Sequence, residues 1–518
     1  MLLSLLVSLA GCGRAGDAAD AADAADAADA KARVAVLGFH SGPDTLDPLR
    51  FRTTRAESIL SELIDLTLLR HNPISDSTEP WLASELPKRE GSAWLWTLPR
   101  DARRDDGRQL RAQDAVRTVE YLRAHADQAG ELLASMAHLE EIKVVDARHF
   151  LTQFDQSHSA TAFAFGRLFH VLPPSVLRDD LTAEANDWGV GPYRVVEHKR
   201  SGTQFAKISN WWGSKLPRFA RRFSCERIDY RYLSDPATLL RLLEEGVLHL
   251  AGLPSVGAAP ETPGLKVESI ATGVLSYVAW NSKKRPFDRA KVRRLLGASI
   301  PRGWILKRLA NGTATPIQVP FDTKSTGGDP AIARHDDDLE LAKLPIFEKH
   351  EDRVHYESQP WRIHLLIPVG AKWAVQVAKG WAESLRQDGI ELVVEPLQVK
   401  ALLARLEAGD FDGCLLIWRG RKTRDTLRGL LHSSETKPGG RNFSGLVDAE
   451  LDAAIAALES AEDGEQLRAA QDQLNRRALA LSGVSFLFRH RARVGIRRDL
   501  IDIETSTRGL DLTTLRCR

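Results

Sequence analysis

Cysteine is scarce in this chain: Cys12, Cys225, Cys414 and Cys517 are its only four in 518 residues. No Cys-x-x-Cys pair and no metal-ligand spacing occurs, so no metal is expected. After residue 11 no stretch is long and apolar enough to cross a bilayer as a helix. Charge of either sign is not in excess. Lys and Arg number 71 against 69 Asp and Glu, and the net charge of +2 makes no case for nucleic acid or for electrostatic membrane binding. Gly-x-Ser-x-Gly, His-Glu-x-x-His and a phosphate loop are absent, so the motifs that would announce an enzyme are missing.

What is there is ordinary in bulk. A 43% hydrophobic share and a 27% charged share suit a soluble globular chain, and the length suits two to four domains. The ends of the chain differ from its body. Residues 1–11 are apolar but too short to span a membrane, and Leu9-Ala10-Gly11-Cys12 resembles a bacterial lipobox. Cys12 is therefore expected to carry lipid and to become the mature N-terminus. The basic residues that open a secretory leader are absent, and an upstream start would supply them. Residues 12–32 read as a disordered tether, in which Asp17, Asp20, Asp23, Asp26 and Asp29 recur among alanines. At about 3.3–3.6 Å per residue its Gly13–Ala30 stretch could reach roughly 60 Å. With Cys12 lipidated, Cys225, Cys414 and Cys517 allow one internal disulfide, and the sequence does not choose the pair.

The body begins near Arg33 and is organised around Gly189-Val190-Gly191-Pro192-Tyr193. Two glycines and a proline before an apolar run read as a tight turn feeding a strand. Ser201-Gly202 then turns a hairpin that ends at Trp211-Trp212. Other blocks precede and follow. Thr45-Leu46-Asp47-Pro48 follows a short strand. Asp106-Gly107 leads through Leu110-Arg111-Ala112-Gln113-Asp114-Ala115-Val116 into a helix. Ser276–Asn281 reads as a strand crossing to a second lobe. Pro286-Phe287-Asp288 opens a helix with Val292, Leu295, Leu296 and Ile300 on one face. From Trp361 strands alternate with helices, which argues for a parallel α/β sheet.

These blocks, in this order, resemble the extracytoplasmic solute-binding proteins of family 5, the oligopeptide-, dipeptide- and nickel-binding proteins of ABC importers. The resemblance covers roughly residues 33–495. It implies an α/β, two-lobed periplasmic-binding-protein-like fold of class II type, cluster C, with an extra small subdomain in the first lobe. By that analogy the first lobe holds 33–275 and 490–518, its subdomain about 55–185, and the second lobe 276–489. A hinge is expected near Trp280-Asn281. The implied function is capture of a peptide-like or other small solute outside the cytoplasm and its delivery to ABC permease subunits. The protein would be a lipid-anchored monomer with no cofactor and no catalysis. The alternative keeps the fold and drops transport, leaving a sensor or a surface binding protein.

The ligand cavity implied by the resemblance takes in Arg52 and Thr54 after the Leu-Asp-Pro turn, Trp280 and Asn281, and Ile417, Trp418, Arg419 and Arg421. Peptide-binding relatives have Trp-x-Ala-Asp-Tyr where this chain has Trp418-Arg419-Gly420-Arg421, and their aspartate holds the peptide's ammonium group. Arg421 in that place would repel an ammonium and suit a carboxylate or phosphate. Two further motifs read as inert. Ser434-Glu435-Thr436-Lys437 has catalytic spacing, but Pro438-Gly439-Gly440 stops the helix that chemistry needs. His335-Asp336-Asp337-Asp338 reads as a solvated run. Trp211-Trp212 reads as a core pair rather than a ligand stack.

Overall fold

The computed structural model describes residues 33–518 apart from 51–53, 76, 127–132, 134–135, 137, 156–158, 174–176, 178–188, 254–259, 308–313, 322–343, 420–426, 462–463 and 507–508. Cys12, the tether, Arg52, Arg421 and the run at 335–338 therefore lie outside the described residues. The strand β1 (Val34–Phe39) has parallel neighbours on both sides, so both of its faces need cover. Its apolar run Val-Ala-Val-Leu-Gly-Phe meets that need. The loop through Leu46-Asp47-Pro48 is tied by its own side chains. Thr45 Oγ1 accepts from the Asp47 amide, and Asp47 Oδ1 accepts from the Leu49 amide at 2.8 Å. The helix α1 (Thr54–Ile59) follows and tightens into one π-helical turn, Leu60–Ile64.

The small subdomain carries a four-stranded antiparallel sheet (88–90, 93–97, 139–144, 149–154) and the helices α2 (Ala112–Ala124) and α3 (Ser159–Leu168). Asp114 stands in the first turn of α2 and accepts from the Arg111 amide at 2.9 Å, closing a capping box, while Val119 and Leu122 are buried. The glycines of the Gly-Val-Gly-Pro-Tyr turn are explained by close approach. A Cβ at Gly189 would lie 1.9 Å from the Ile64 carbonyl oxygen, and one at Gly191 2.3 Å from that of Leu63. The turn therefore seats directly on the π-helical end of α1. The hairpin β2 (Tyr193–Lys199) and β3 (Gly202–Lys207) follows, and both Trp211 and Trp212 donate their indole N–H to the Val190 carbonyl. The tryptophan pair is thus a structural anchor of the turn. Next come β4 (Arg227–Tyr232), α4 (Pro236–Glu244), capped by Asp235, and β5 (Leu250–Leu253).

The chain then leaves along β6 (Leu265–Trp280). In the second lobe α5 (Ala290–Ala298) buries Val292, Leu295 and Leu296. The units β7 (Arg362–Pro368), α6 (Lys372–Gln387), β8 (Glu391–Leu397), α7 (Val399–Glu407) and β9 (Gly413–Arg419) alternate as expected, with β7 parallel to both β8 and β9. The Ser434 motif forms a single 3-10 turn and then extended backbone at Lys437, which denies it the helix its spacing would need. The helices α8 (Ala449–Ser460) and α9 (Gly464–Leu481) lead into β10 (Val484–Arg497), which returns to the first lobe. The hairpin β11 (Ile501–Thr505) and β12 (Leu510–Cys517) ends the chain.

One sheet runs through both lobes in the order β8-β7-β9-β6-β10-β5-β1-β4-β3-β2, with the short strand Ala314–Pro316 added on β10. The cores on either side of the crossing are separate. One gathers residues from Ala35 to Leu250 and again from Val494 to Leu515; two others lie between Leu275 and Phe488. The C-terminal hairpin is fastened to the first of these. Cys225 and Cys517 form a disulfide, settling the pairing that the sequence left open, and Cys414 stays free and buried. Beside it, buried Asp511 accepts from Arg70 at 3.1 and 2.5 Å and from Arg222 at 2.7 Å. Arg70 also pairs with Glu79 and lies 4.2 Å over the Trp81 ring. Burial alone would raise the Asp511 pKa; the bonds and charge of Arg70, with Arg222 and Thr513, outweigh it and bring the carboxyl down to about 2.

Candidate functional site

Strand direction locates the site. The strands β1, β4 and β5 are parallel, and β5 runs antiparallel to β10, which runs antiparallel to β6. On the other side β9 is antiparallel to β6 and parallel to β7 and β8. It follows that β1, β4 and β5 point toward the second lobe, while β7, β8 and β9 point toward the first. The carboxyl ends of the two sets face each other across the crossing strands β6 and β10, where ligands of open α/β sheets bind. Helices α4, α6 and α7 each begin within four residues of one of these ends, so their partly positive N-termini sit around the same cleft. The lobes also meet away from the crossing, where α3 approaches α8.

The crossing itself is uneven. From Leu265 to Ala271, β6 pairs with Arg497 to Arg491; from Leu275 it pairs again with Arg489. Three residues, Thr272, Gly273 and Val274, thus stand against His490 alone, and Gly273 takes the left-handed conformation at φ 72°. Thr272 Oγ1 donates to the His490 carbonyl at 2.9 Å. The ring of His490 meets that of Trp373, from the first turn of α6, edge-on at 5.7 Å. The break in the crossing therefore lies at 272–274, upstream of the hinge expected near Trp280-Asn281.

The residues expected to line the cavity fall into three groups. Ile417, Trp418 and Arg419 form the carboxyl end of β9, opposite Ser276, Leu275 and Val274, and so stand beside the break. Ile417 and Trp418 are half-buried; the Trp418 ring passes so close to Gly429 that a Cβ there would come within 2.8 Å. Thr54 begins α1 at the end of the Leu-Asp-Pro loop; for it and for Arg419 the backbone alone is described. Trp280 and Asn281 require a correction. Trp280 has no exposed surface. Its ring stacks on Phe287 at 5.8 Å and meets Trp381 edge-on at 5.7 Å, and its indole N–H donates to Ser485. Asn281 donates to the carbonyls of Gly409 and Phe411. Both hold the second lobe together, because by Trp280 the strand has already entered its core.

The residues missed from sequence lie on the returning strand. Arg489, Arg491 and Arg493 alternate along β10 through the break, on the same face as Leu275 and Trp418 by register. The spacing Arg-x-Arg-x-Arg is visible in the sequence; that one strand runs through it from Val484 to Arg497 is not. His249 turns away from the crossing: its Nδ1 accepts from the Val36 amide at 3.4 Å, and burial, helped by Arg497, lowers its pKa. Burial also pushes the Cys414 thiol up, which leaves it an unreactive core group. Among the described residues no group of three or more His, Cys, Asp or Glu is placed to hold a metal ion, and no helix is long and apolar enough to cross a membrane.

Comparison with known proteins agrees with this geometry. The model for "Bacterial extracellular solute-binding proteins, family 5 Middle" matches residues 77–437. The chain is 23% identical over 290 residues to di/tripeptide-binding protein 2 of Pseudomonas aeruginosa, covering 54% of this chain and 51% of that one. It is 24% identical over 284 residues to heme-binding protein A of Haemophilus influenzae, covering 53% and 49%. It thus spans about half the length of the curated relatives it matches. Among solved structures, the oligopeptide-binding protein AppA of Bacillus subtilis, in complex with a nonapeptide, superposes with a TM-score of 0.69 at 17% identity, over 94% of this chain and 99% of that one. NikA of Brucella suis, in complex with Fe(III)-EDTA, gives 0.75 at 17%, over 94% and 100%. The first three are named as binding proteins, and the fold that AppA and NikA share with this chain is the two-lobed α/β one.

Proposed function

The chain belongs to the family 5 bacterial extracellular solute-binding proteins, and we propose that it captures a peptide-like solute between its lobes and hands it to the permease of an ABC importer. The observation that carries the reading is the convergence of the carboxyl ends of β1, β4 and β5 with those of β7, β8 and β9 across two crossing strands. Such a body binds by closing; nothing in it needs a reacting group. The lobes divide at Thr272–Val274 on β6 and at His490 on β10, and β9 supplies Ile417, Trp418 and Arg419 to the ligand wall. Thr54, Arg52 and Arg421 belong to the same wall by sequence position. Names of relatives favour peptides over heme as the solute, since di/tripeptide- and oligopeptide-binding proteins recur among them.

Lipidation of Cys12 and a membrane-tethered monomer complete the reading. The Cys225–Cys517 disulfide supports an oxidising, extracytoplasmic setting. Native mass spectrometry of protein purified from its own cells is the deciding experiment. A co-purifying peptide-like mass, released on unfolding, is expected; a body that never carries or binds a peptide-like solute would overturn the proposal. Fatty-acid labelling that persists in Cys12→Ser would overturn the anchor.

A further inference from the structure

We propose that Arg428 and Glu459 are positioning residues for solute capture. Their ion pair ties the short helix against which the Trp418 ring rests to α8, the second-lobe helix that α3 of the first lobe approaches. Solute contact at Trp418 and the contact between α3 and α8 thereby strengthen each other. The inference rests on the solute-capture reading above and adds to it residues that do not themselves touch solute.

The link is built from shown contacts. The short helix Arg428–Leu431 begins at Leu427, whose backbone is left-handed at φ 58° although it is not glycine. The Leu427 side chain is buried in the same core as Leu275, next to the break in the crossing. A leucine held against its own backbone preference marks a turn that its surroundings fix. Two residues on, a Cβ at Gly429 would come within 2.8 Å of the Trp418 ring. The ring therefore rests on backbone, and a shift of the short helix is a shift of the ring's support.

Arg428 supplies the other half of the link. Its Nε and Nη2 donate to the two carboxylate oxygens of Glu459 at 2.7 and 2.6 Å. A two-pronged bond of this kind fixes orientation as well as distance. Bonding to Glu459 raises the Arg428 pKa against the opposing effect of burial, and Asp452 and Glu435 add to the rise. Glu459 stands in the last turn of α8, where the partly negative helix end disfavours a carboxylate and the helix has no basic residue of its own. An acid in that place serves the fork, not the helix. The start of α8 lies deep in the second lobe: the Asp448 amide donates to Ser433, and nearby Ser444 accepts from Ser282, beyond Trp280. Its end lies beside Arg428, which follows the carboxyl end of β9. The helix thus runs toward the cleft, and α3 approaches it from the first lobe.

A simple cap would need less. Any cation near the end of α8 offsets its dipole, so Arg428→Lys keeps a cap while losing the fork. Glu459→Gln likewise removes a charge that the helix end disfavours, yet it too breaks the fork. Stability and closure therefore separate in these two variants if the pair positions, and move together if it only caps.

The test uses the full chain with Cys12→Ser and spin labels at Glu120→Cys of α2 and Ala456→Cys of α8, two exposed helical positions. The bonded Cys225 and Cys517 and the buried Cys414 take no label. In protein stripped of solute by unfolding in urea without reductant and refolding, the ratio of short to long label separations reports closure. Arg428→Lys and Glu459→Gln should each lower that ratio roughly fivefold or more, with the unfolding temperature nearly unchanged. Gly429→Ala, which displaces the Trp418 ring, should lower it too. Combined with Glu459→Gln, its effect should fall short of the sum of the two. Affinity for acetyl-Ala-Leu-Ala-amide, by calorimetry, should weaken alongside. A ratio that does not move in folded Arg428→Lys and Glu459→Gln overturns the inference and leaves the peptide-capture reading standing. So does an unfolding temperature that falls in step with the ratio, the mark of a structural cap. Peptide affinity that stays unchanged while the ratio falls overturns it as well. A ratio that falls as expected in a protein that does not bind the peptide upholds the coupling and counts against the peptide reading alone.

Discussion

The two lobes are held together in different ways. The first draws on both ends of the chain, and its late-arriving part is fastened by charge and covalence: Asp511 between Arg70 and Arg222, and Cys225 bonded to Cys517. The second is built between Leu275 and Phe488, and its centre is aromatic and dry, with Trp280 between Phe287 and Trp381. Segments that meet only after the chain has closed a long loop need contacts specific enough to fix them, whereas neighbouring segments can be held by packing alone. The difference predicts unequal responses to pH, reductant and truncation.

The largest effects come from the two centres. Asp511→Ala takes the buried carboxylate away from buried Arg70 and part-buried Arg222, leaving them Glu79 alone, and should cost about 3–5 kcal/mol in urea unfolding. Trp280→Ala should cost a similar amount, about 3–5 kcal/mol, through the cavity it opens. The two are told apart by pH, because the cost of Trp280→Ala should be the same at pH 7 and pH 4. Next in size is the disulfide. Cys225→Ser, or reduction, should lower stability by about 2–4 kcal/mol, and limited proteolysis should then release the C-terminal hairpin before it cuts the second lobe.

Acid sharpens the comparison further. Asp511 titrates at about 2 in the folded chain, below its ordinary value, so its stabilisation is fully present above the carboxylate range. As pH falls from about 5 toward 2 that contribution, on the order of 2 kcal/mol, should disappear. Asp511→Asn should flatten this part of the pH profile. The smallest effect belongs to His249, whose pKa is lowered by burial and by Arg497. A histidine kept neutral in the folded state adds stability at high pH that is lost as pH falls below its ordinary value. A loss of stability is expected as pH falls from 7 to 5, and it should be absent from His249→Gln.

Much of the architecture was legible because its signals are local. Gly189 and Gly191 need no side chain against Ile64 and Leu63, and a glycine pair before a strand shows that need in the sequence. Asp114 caps its own helix three residues from Arg111. What stayed hidden depends on distant partners. Three cysteines gave no preference among themselves, since the bonded pair is separated by 292 residues. Trp280 looked like a ligand contact because its strand seemed to begin at Ser276; the strand begins at Leu265, and its crossing is complete before Trp280. That β10 runs unbroken from Val484 to Arg497, between β5 and β6, also stayed hidden, because those partners come from distant parts of the chain.

The unequal crossing strands have a mechanical consequence. Between the two paired stretches β6 spends three residues where β10 spends one, a surplus of contour of about 6.6 Å at strand spacing. Two tethers of equal length would resist bending alike in every direction. Here one is taut and the other has slack, so the body can swing about the taut strand while the slack one shortens or extends along its arc. The proposed closure would thereby be steered toward one path, with Gly273 as the place where the backbone turns.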